Sequence, residues 1–312
     1  MSAGLLLGID IGGTKTAVVV SDQPPEVIAR REFLTRPELG PQQTIEQIIA
    51  TARELLAGRP IERIGVSCGG PLNSTTGVIQ APPNLSTWVD VPINRILGGA
   101  FGVPCALEND ANAGAVAEHR FGAGIGTRNM VFLTMGTGLG AGIIANGILY
   151  RGACDAAGEI GHVRLTRTGP VGYHKSGSVE GWASGGGLAQ AASAVVARAD
   201  KRGETTLLGG ESVSAKDVAE AARAGDRLAK RLIRATGKRL GETLAILVDI
   251  LNPERIVIGG LAMRMGDDLL APARAMLRRE ALPASAAACE VVPAKLNEQI
   301  GDLAALCVAA GI

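Results

Sequence analysis

Two stretches of this chain, about 125 residues apart, share one construction, and any fold has to accommodate both. Residues 5–11 and 16–21 are apolar, β-branched-rich runs joined by Gly12-Gly13-Thr14-Lys15. From residue 130 the run MVFLTMG reaches a second turn, Thr137-Gly138-Leu139-Gly140, and returns as AGIIA; Asn146-Gly147 then leads into ILY. Short apolar runs broken by glycine turns predict β-hairpins, and Asn-Gly suits a two-residue hairpin turn. Together they predict a duplicated architecture with one hairpin per domain. Glycine is abundant, 43 of 312 residues, about twice the usual ~7%. Its clustering between apolar runs points to tight turns in a packed protein rather than to disorder.

Helical patterns lie between and after the hairpins. Ile45, Ile48, Ile49, Ala52, Leu55 and Leu56 share one face, with Thr44 and Gln47 spaced as a capping box and Gly58 and Pro60 as a stop. A strand over Ile64–Ser67 runs into Cys68-Gly69-Gly70-Pro71, and a short apolar strand over 103–107 precedes Asn109-Asp110. Long helices are predicted over 186–200, 214–224 (Ser214 capping with Asp217) and 226–250, then a strand over 254–260 and a helix over 299–310. Strands mixed with helices throughout make the fold class α/β.

Glycine turns after strands can offer backbone N–H groups to phosphate. Gly8 to Lys15 reads G-x-x-x-x-G-T-K, one residue out of order for a P-loop, and the β-branched TAVVVS that follows cannot supply the helix a P-loop requires. Gly136, Gly138 and Ala141 fit a loosened dinucleotide pattern, but a hairpin follows where a Rossmann unit needs a helix. What remains is a carboxylate, Asp10, at a strand end before Gly12, Gly13, Thr14 and Lys15, with a second turn at Thr137 and Gly138. The hydroxyls can donate to phosphate oxygens, and Asp10 is placed to hold Mg²⁺ through water. Two ordinary structural hairpins are the alternative, and Lys15 could equally be a salt-bridge partner.

Carboxylates, amides and imidazoles on rigid turns can pair several adjacent hydroxyls of a small-molecule ligand. The chain offers Asn84, Asn109, Asp110, Glu159, His162 and Glu180 near glycines. Phosphorylating a hydroxyl needs positioning, charge stabilisation and a carboxylate to accept the proton. Asp110 is the best candidate base; a helix N-cap for 111–118 is its alternative reading, compatible with the first. Asn84 could be a turn residue and Glu180 a surface carboxylate.

Composition narrows the partners. A net charge of +1 with no basic block and only eight aromatic residues gives no footprint for nucleic acid. MSAGLLLGID has no basic leader, and no uncharged apolar run approaches the ~18 residues of a membrane helix. Five scattered cysteines without a CxxC suit a reduced, cytoplasmic chain.

The stretches LGIDIGGTKTAVVV, LENDANAGAVAE, LTMGTGLGAGI and CDAAGEIGH, in this order and spacing, resemble the ROK family of sugar kinases and sugar-responsive repressors, and the resemblance covers essentially the whole chain. It implies an actin-like ATPase (ribonuclease-H-like) fold of two α/β domains, here 1–114 completed by the helix 298–312, and 115–297. ATP with Mg²⁺ and a sugar would bind in the cleft between them, typically in a homodimer or tetramer. Residues 8–16 and 134–142 correspond to the phosphate motifs, and Gly259-Gly260 to the adenosine side. Asp110 would be the base. Asn84, Asn109, Glu159, His162 and Glu180 would bind sugar hydroxyls, with Gly69-Gly70 lining the pocket; Gly69 departs from the proline usual there. PPNLSTWVDVP resembles a segment of glucokinase-like members and favours glucose over fructose, mannose, N-acetylglucosamine or N-acetylmannosamine.

One family feature is missing. Many members follow the Gly-His pair with C-x-C-G-x-x-G-C-x-E, whose cysteines hold zinc with the histidine; here Val171, Tyr173 and Ser178 stand in the cysteine positions. Zinc needs about four suitable ligands, so no zinc is expected. The family's regulators carry a helix-turn-helix domain ahead of the first hairpin. Only nine residues precede Asp10, which favours a kinase over a sugar-sensing protein.

Overall fold

The computed structural model describes residues 4–203, 205–209 and 212–312. The chain divides into two compact units. One takes the chain up to Ile125 together with Leu149–Ala157 and Glu298–Ile312; the other takes Gly126–Ile148 and Gly158–Asn297. The first boundary lies beyond residue 114 because the helix Asp110–Phe121 is one continuous rod, packed on the terminal helix Ile300–Ala310.

The first unit is built on a five-stranded sheet ordered Ala29–Leu34, Lys15–Ser21, Leu5–Ile11, Ile61–Cys68, Cys105–Asn109. The first three strands form an antiparallel meander and the last three run parallel. Leu7, Ile9, Val18, Val20, Ile64 and Val66 are buried in its core. The helix Pro41–Leu56 lays Ile45, Ile48, Ala52 and Leu56 into that core, the face its apolar spacing predicts. Its start differs from the expectation. Pro41 occupies the first turn, where its fixed φ is already helical, and Gly40 is the cap residue. Thr44 therefore lies inside the helix and donates its hydroxyl to the Thr35 carbonyl at 2.7 Å instead of forming a capping box. The terminal helix Ile300–Ala310 is buried on nearly every side, against the strands Leu5–Ile11 and Ile61–Cys68.

The second unit repeats the arrangement. The second sheet is ordered Ile148–Tyr150, Leu139–Ala145, Met130–Met135, Arg255–Ile258, Glu290–Pro293, again a hairpin followed by parallel strands; its edge strand leaves this unit after Ile148. Asn146 and Gly147 both have positive φ, as a two-residue turn of mirror-image type demands. The long helix Arg227–Leu251, capped by Asp226, packs against Asp267–Glu280. Ser214 and Asp217 form the capping box read from the sequence, at the start of Ala215–Arg223. Among the described residues no helix is long and apolar enough to cross a membrane.

Candidate active site

In the first unit three parallel strands end side by side. The register sets Asp10 beside Ser67 and Cys68 beside Asn109. Asp10, Gly69-Gly70 and Asn109-Asp110 thus share the carboxyl-terminal edge of the sheet, where α/β folds bind ligands. A Cβ at Gly70 would stand 3.3 Å from Asn109 Nδ2, and one at Gly69 3.9 Å from Asp110 Oδ2, so both glycines border the pair.

Asp10 is partly buried, and its pKa is pushed up to about 7. Burial is the main cause and the nearby Asp110 carboxylate adds to it, opposed by a hydrogen bond from Ser67; Asp302 raises it further and Arg30 lowers it. The start of the terminal helix comes so close that a Cβ at Gly301 would collide with the Asp10 carboxylate, so glycine there leaves the carboxylate in place. Behind it, Asp302 is buried and accepts from Arg30 Nε at 2.7 Å, and Arg30 also donates to Glu32 at 2.8 Å. Glu32 in turn pairs with Lys15 at 2.5 Å. Of the two roles open for Lys15, the structure displays the salt bridge. The hydrogen bonds from Lys15 and then Arg30 hold the Glu32 pKa down.

Asp110 is the first residue of its helix, and the cap is Asn109. The Asn109 Oδ1 accepts from the N–H groups of Ala111 at 2.9 Å and Asn112 at 3.3 Å, so the cap role weighed for Asp110 falls one residue earlier. The preceding strand runs over Cys105–Asn109, two residues later than expected. Asp110 Oδ1 also accepts from Ala111 N–H at 2.8 Å. Solvent reaches Asp110, yet protein crowds it closely enough to thin its hydration. Desolvation therefore raises its pKa, partly offset by the backbone hydrogen bonds.

Glu108, which the sequence did not single out, anchors this corner. It is buried, accepts from Arg151 Nε and Nη2 at 2.7 Å each, and takes Asn112 Nδ2 at 3.0 Å. The first hairpin turn is closed by Gly12 N–H to the Lys15 carbonyl at 3.0 Å and braced by Thr35, whose hydroxyl donates to the Gly12 carbonyl at 2.7 Å. Asn84 sits directly against Gly13, which places Asn84 and Thr14 at the same turn region.

In the second unit the turn Gly136–Gly138 rests on the start of the helix Gly185–Arg202. Gly185 N–H donates to the Gly136 carbonyl at 2.7 Å and Gly186 N–H to that of Thr137 at 3.0 Å. Glu180 Oε2 accepts from Leu139 N–H at 3.0 Å; a Cβ at Gly138 would lie 2.7 Å from the same oxygen. Glu180 is therefore no isolated surface carboxylate, since it ties the turn down. Gly161, next to His162, packs on Leu139 and on Glu180, so the short 3-10 helix Glu159–His162 belongs to the same cluster. Gly259 donates to the Leu133 carbonyl at 2.9 Å, and Gly260 packs on the Met135 carbonyl, beside this turn.

The loop after His162 is held by hydrogen bonds. Val171 exchanges two with the Gln190 side chain, at 3.1 and 2.8 Å. Ser178 caps the helix Val179–Ala183 by accepting from Gly181 N–H at 3.1 Å, and Trp182 Nε1 donates to Thr166 Oγ1 at 2.7 Å. Among the described residues no three His, Cys, Asp or Glu side chains group in a way that could hold a metal ion.

The ROK family model matches residues 6–311. A glucokinase of Streptomyces coelicolor is 32% identical over 281 residues, covering 88% of each chain. The crystal structure of a ROK family glucokinase from Streptomyces griseus, in complex with glucose and AMPPNP, is 31% identical and superimposes with a TM-score of 0.83, over 99% of this chain and all of that one. A ROK family transcriptional regulator, homologous to the E. coli MLC protein, superimposes at 0.87 over 98% of this chain and 78% of its own; at 24% identity that likeness speaks for the fold alone. The two repeated sheets are those of the actin-like ATPase fold, and the chain belongs to the ROK family.

Proposed function

We propose that this sugar kinase transfers the γ-phosphate of ATP to a hexose hydroxyl, the 6-OH of glucose being the first choice. What carries the reading is the pair Asp10 and Asp110 at one edge of the sheet, at the ends of the two parallel strands that flank Ile61–Cys68, beside a glycine hairpin and an amide, Asn109, suited to sugar hydroxyls. Similarity to glucokinases supports it. Asp110 accepts the proton of the attacking hydroxyl, and a pKa raised by desolvation matches a base to that task better. Asn109, Asn84, Glu159, His162 and Glu180 orient the sugar, while Gly69 and Gly70 leave it room. Gly13, Thr14, Thr137 and Gly138 receive the phosphates through backbone N–H and hydroxyl groups, Gly12 shapes the turn that presents them, and Gly259-Gly260 border the adenosine.

Asp10 fits a Mg²⁺ ion, held directly or through water, because a divalent charge would relieve the cost of a crowded carboxylate beside a second one. When bound, Mg²⁺ supplies neutralisation of phosphate charge. The homodimer and the cytoplasmic setting are part of this proposal.

An ADP-release assay over glucose, fructose, mannose, N-acetylglucosamine and N-acetylmannosamine tests it. Turnover is expected with glucose above the others. A folded protein that binds glucose but releases no ADP with any of the five would be a sugar-binding protein instead.

A further inference from the structure

We propose that Tyr173 is a positioning residue for His162, holding the imidazole in the orientation that meets the sugar; the sugar-facing role of His162 rests on the function proposed above. Tyr173 and His174 form the two-residue turn between the short strands Val171–Gly172 and Lys175–Ser176. Both have left-handed backbones, with φ of 41° and 62°. Asn-Gly or Gly-Gly is the usual choice for such a turn, because a bulky side chain at positive φ is strained. An aromatic residue there, largely exposed, gains no core burial in exchange.

Strain of this kind persists where the surroundings or a function require it, and the inference runs from the outlier to the role. The required contact is visible. The Tyr173 ring meets the His162 ring edge-on, with centroids 6.0 Å apart and planes at 74°, the geometry that aromatic quadrupoles favour. The first residue of the strand that leaves the turn acts on the same target, since Lys175 Nζ donates to the His162 carbonyl at 2.8 Å. One strained hairpin thus fixes both the backbone and the ring of one exposed histidine.

Tyr173→Gly separates the two explanations, because it relieves the turn while deleting the ring. A merely structural Tyr173 predicts equal or higher melting temperature and unchanged kinetics. Positioning predicts equal or higher melting temperature with KM for glucose raised on the order of tenfold, and kcat changed far less. Tyr173→Phe, which keeps the ring edge, should return KM to within about twofold of the parent. A second readout needs no activity. The chain has three histidines, so a ¹H–¹³C spectrum of the imidazoles is simple to assign with His162→Gln. The His162 signal should move in Tyr173→Gly and stay in place in Tyr173→Phe. An unmoved His162 signal in Tyr173→Gly, or a KM equal to the parent's, overturns the proposal. Loss of turnover with every hexose in the parent protein would instead remove the kinase reading, with the histidine spectrum still deciding the contact.

Discussion

Replacing Asp10 by Asn should stabilise the ligand-free protein, and more so as the pH rises. Asp10 has its pKa lifted from 3.8 to about 7, mainly by burial and by Asp110. A folded-state pKa above the unfolded one means that the folded chain holds the proton more tightly. Stability from this group is complete below pH 4 and is lost as the pH climbs through 7. At ~1.4 kcal/mol per pH unit, the loss reaches about 4 kcal/mol at pH 8 but only about 1.5 kcal/mol at pH 5. Asparagine keeps the shape without the charge and avoids the loss. At about 2 °C per kcal/mol for a chain this long, the variant should melt about 8 °C higher at pH 8 and about 3 °C higher at pH 5. Thermal unfolding followed by circular dichroism across pH 5–8 measures both. MgATP should narrow the gap at pH 8, because a cation beside Asp10 offsets the same cost. A gain that is absent, or that shrinks as the pH rises, would refute the claim that this carboxylate is held at the expense of stability.

Other outcomes follow from the same geometry. Arg151→Met leaves the buried Glu108 with Asn112 Nδ2 and the Asn109 N–H; given a half-exposed arginine, unfolding by urea should show a loss of about 1–2 kcal/mol. Gly301→Ala forces a methyl group against the Asp10 carboxylate, and kcat/KM for MgATP should fall at least tenfold while circular dichroism stays native. With Asp110 as the base, the acid limb of kcat/KM should lie at higher pH than an unperturbed aspartate would give, since its raised pKa keeps it protonated to higher pH. A chelator that strips zinc should leave the melting temperature unchanged, and metal analysis should find no stoichiometric zinc, because hydrogen bonds through Gln190, Ser178 and Thr166 hold the loop.

Much of this was legible in the chain because it is local. The hairpins at 5–21 and 130–150 announce themselves by alternation of apolar runs and glycine turns, and the Ser214–Asp217 box by spacing alone. Thr44 misled for the opposite reason: Pro41, three residues earlier, begins the helix, and the spacing of a capping box carries no information about a competing start. Asn109 took the cap because the strand reaches two residues further than its apolar content suggests, paired to Ile61–Cys68 by backbone hydrogen bonds that tolerate polar side chains. Partners far apart in sequence left no local trace. Arg30 and Asp302 are 272 residues apart, and nothing in either neighbourhood signals that they shape the field at Asp10. Glu108 and Arg151 meet only once the segment 149–157 joins the first unit. Two of the glycines are likewise explained only by contact, Gly301 against Asp10 and Gly138 against Glu180, where a methyl group would have to displace a carboxylate.

In the proposed reaction Asp110 drives phosphoryl transfer to a hexose. Phosphorus NMR of MgATP with glucose, run with the parent protein and with Asp110→Asn, tests it most directly. A sugar 6-phosphate resonance should grow together with ADP for the parent. For Asp110→Asn the rate should be lower by at least ~10²–10⁴-fold, with glucose binding retained in calorimetry. A sugar phosphate formed by Asp110→Asn at a rate near the parent's, or none formed by a parent that binds glucose and MgATP, would contradict it.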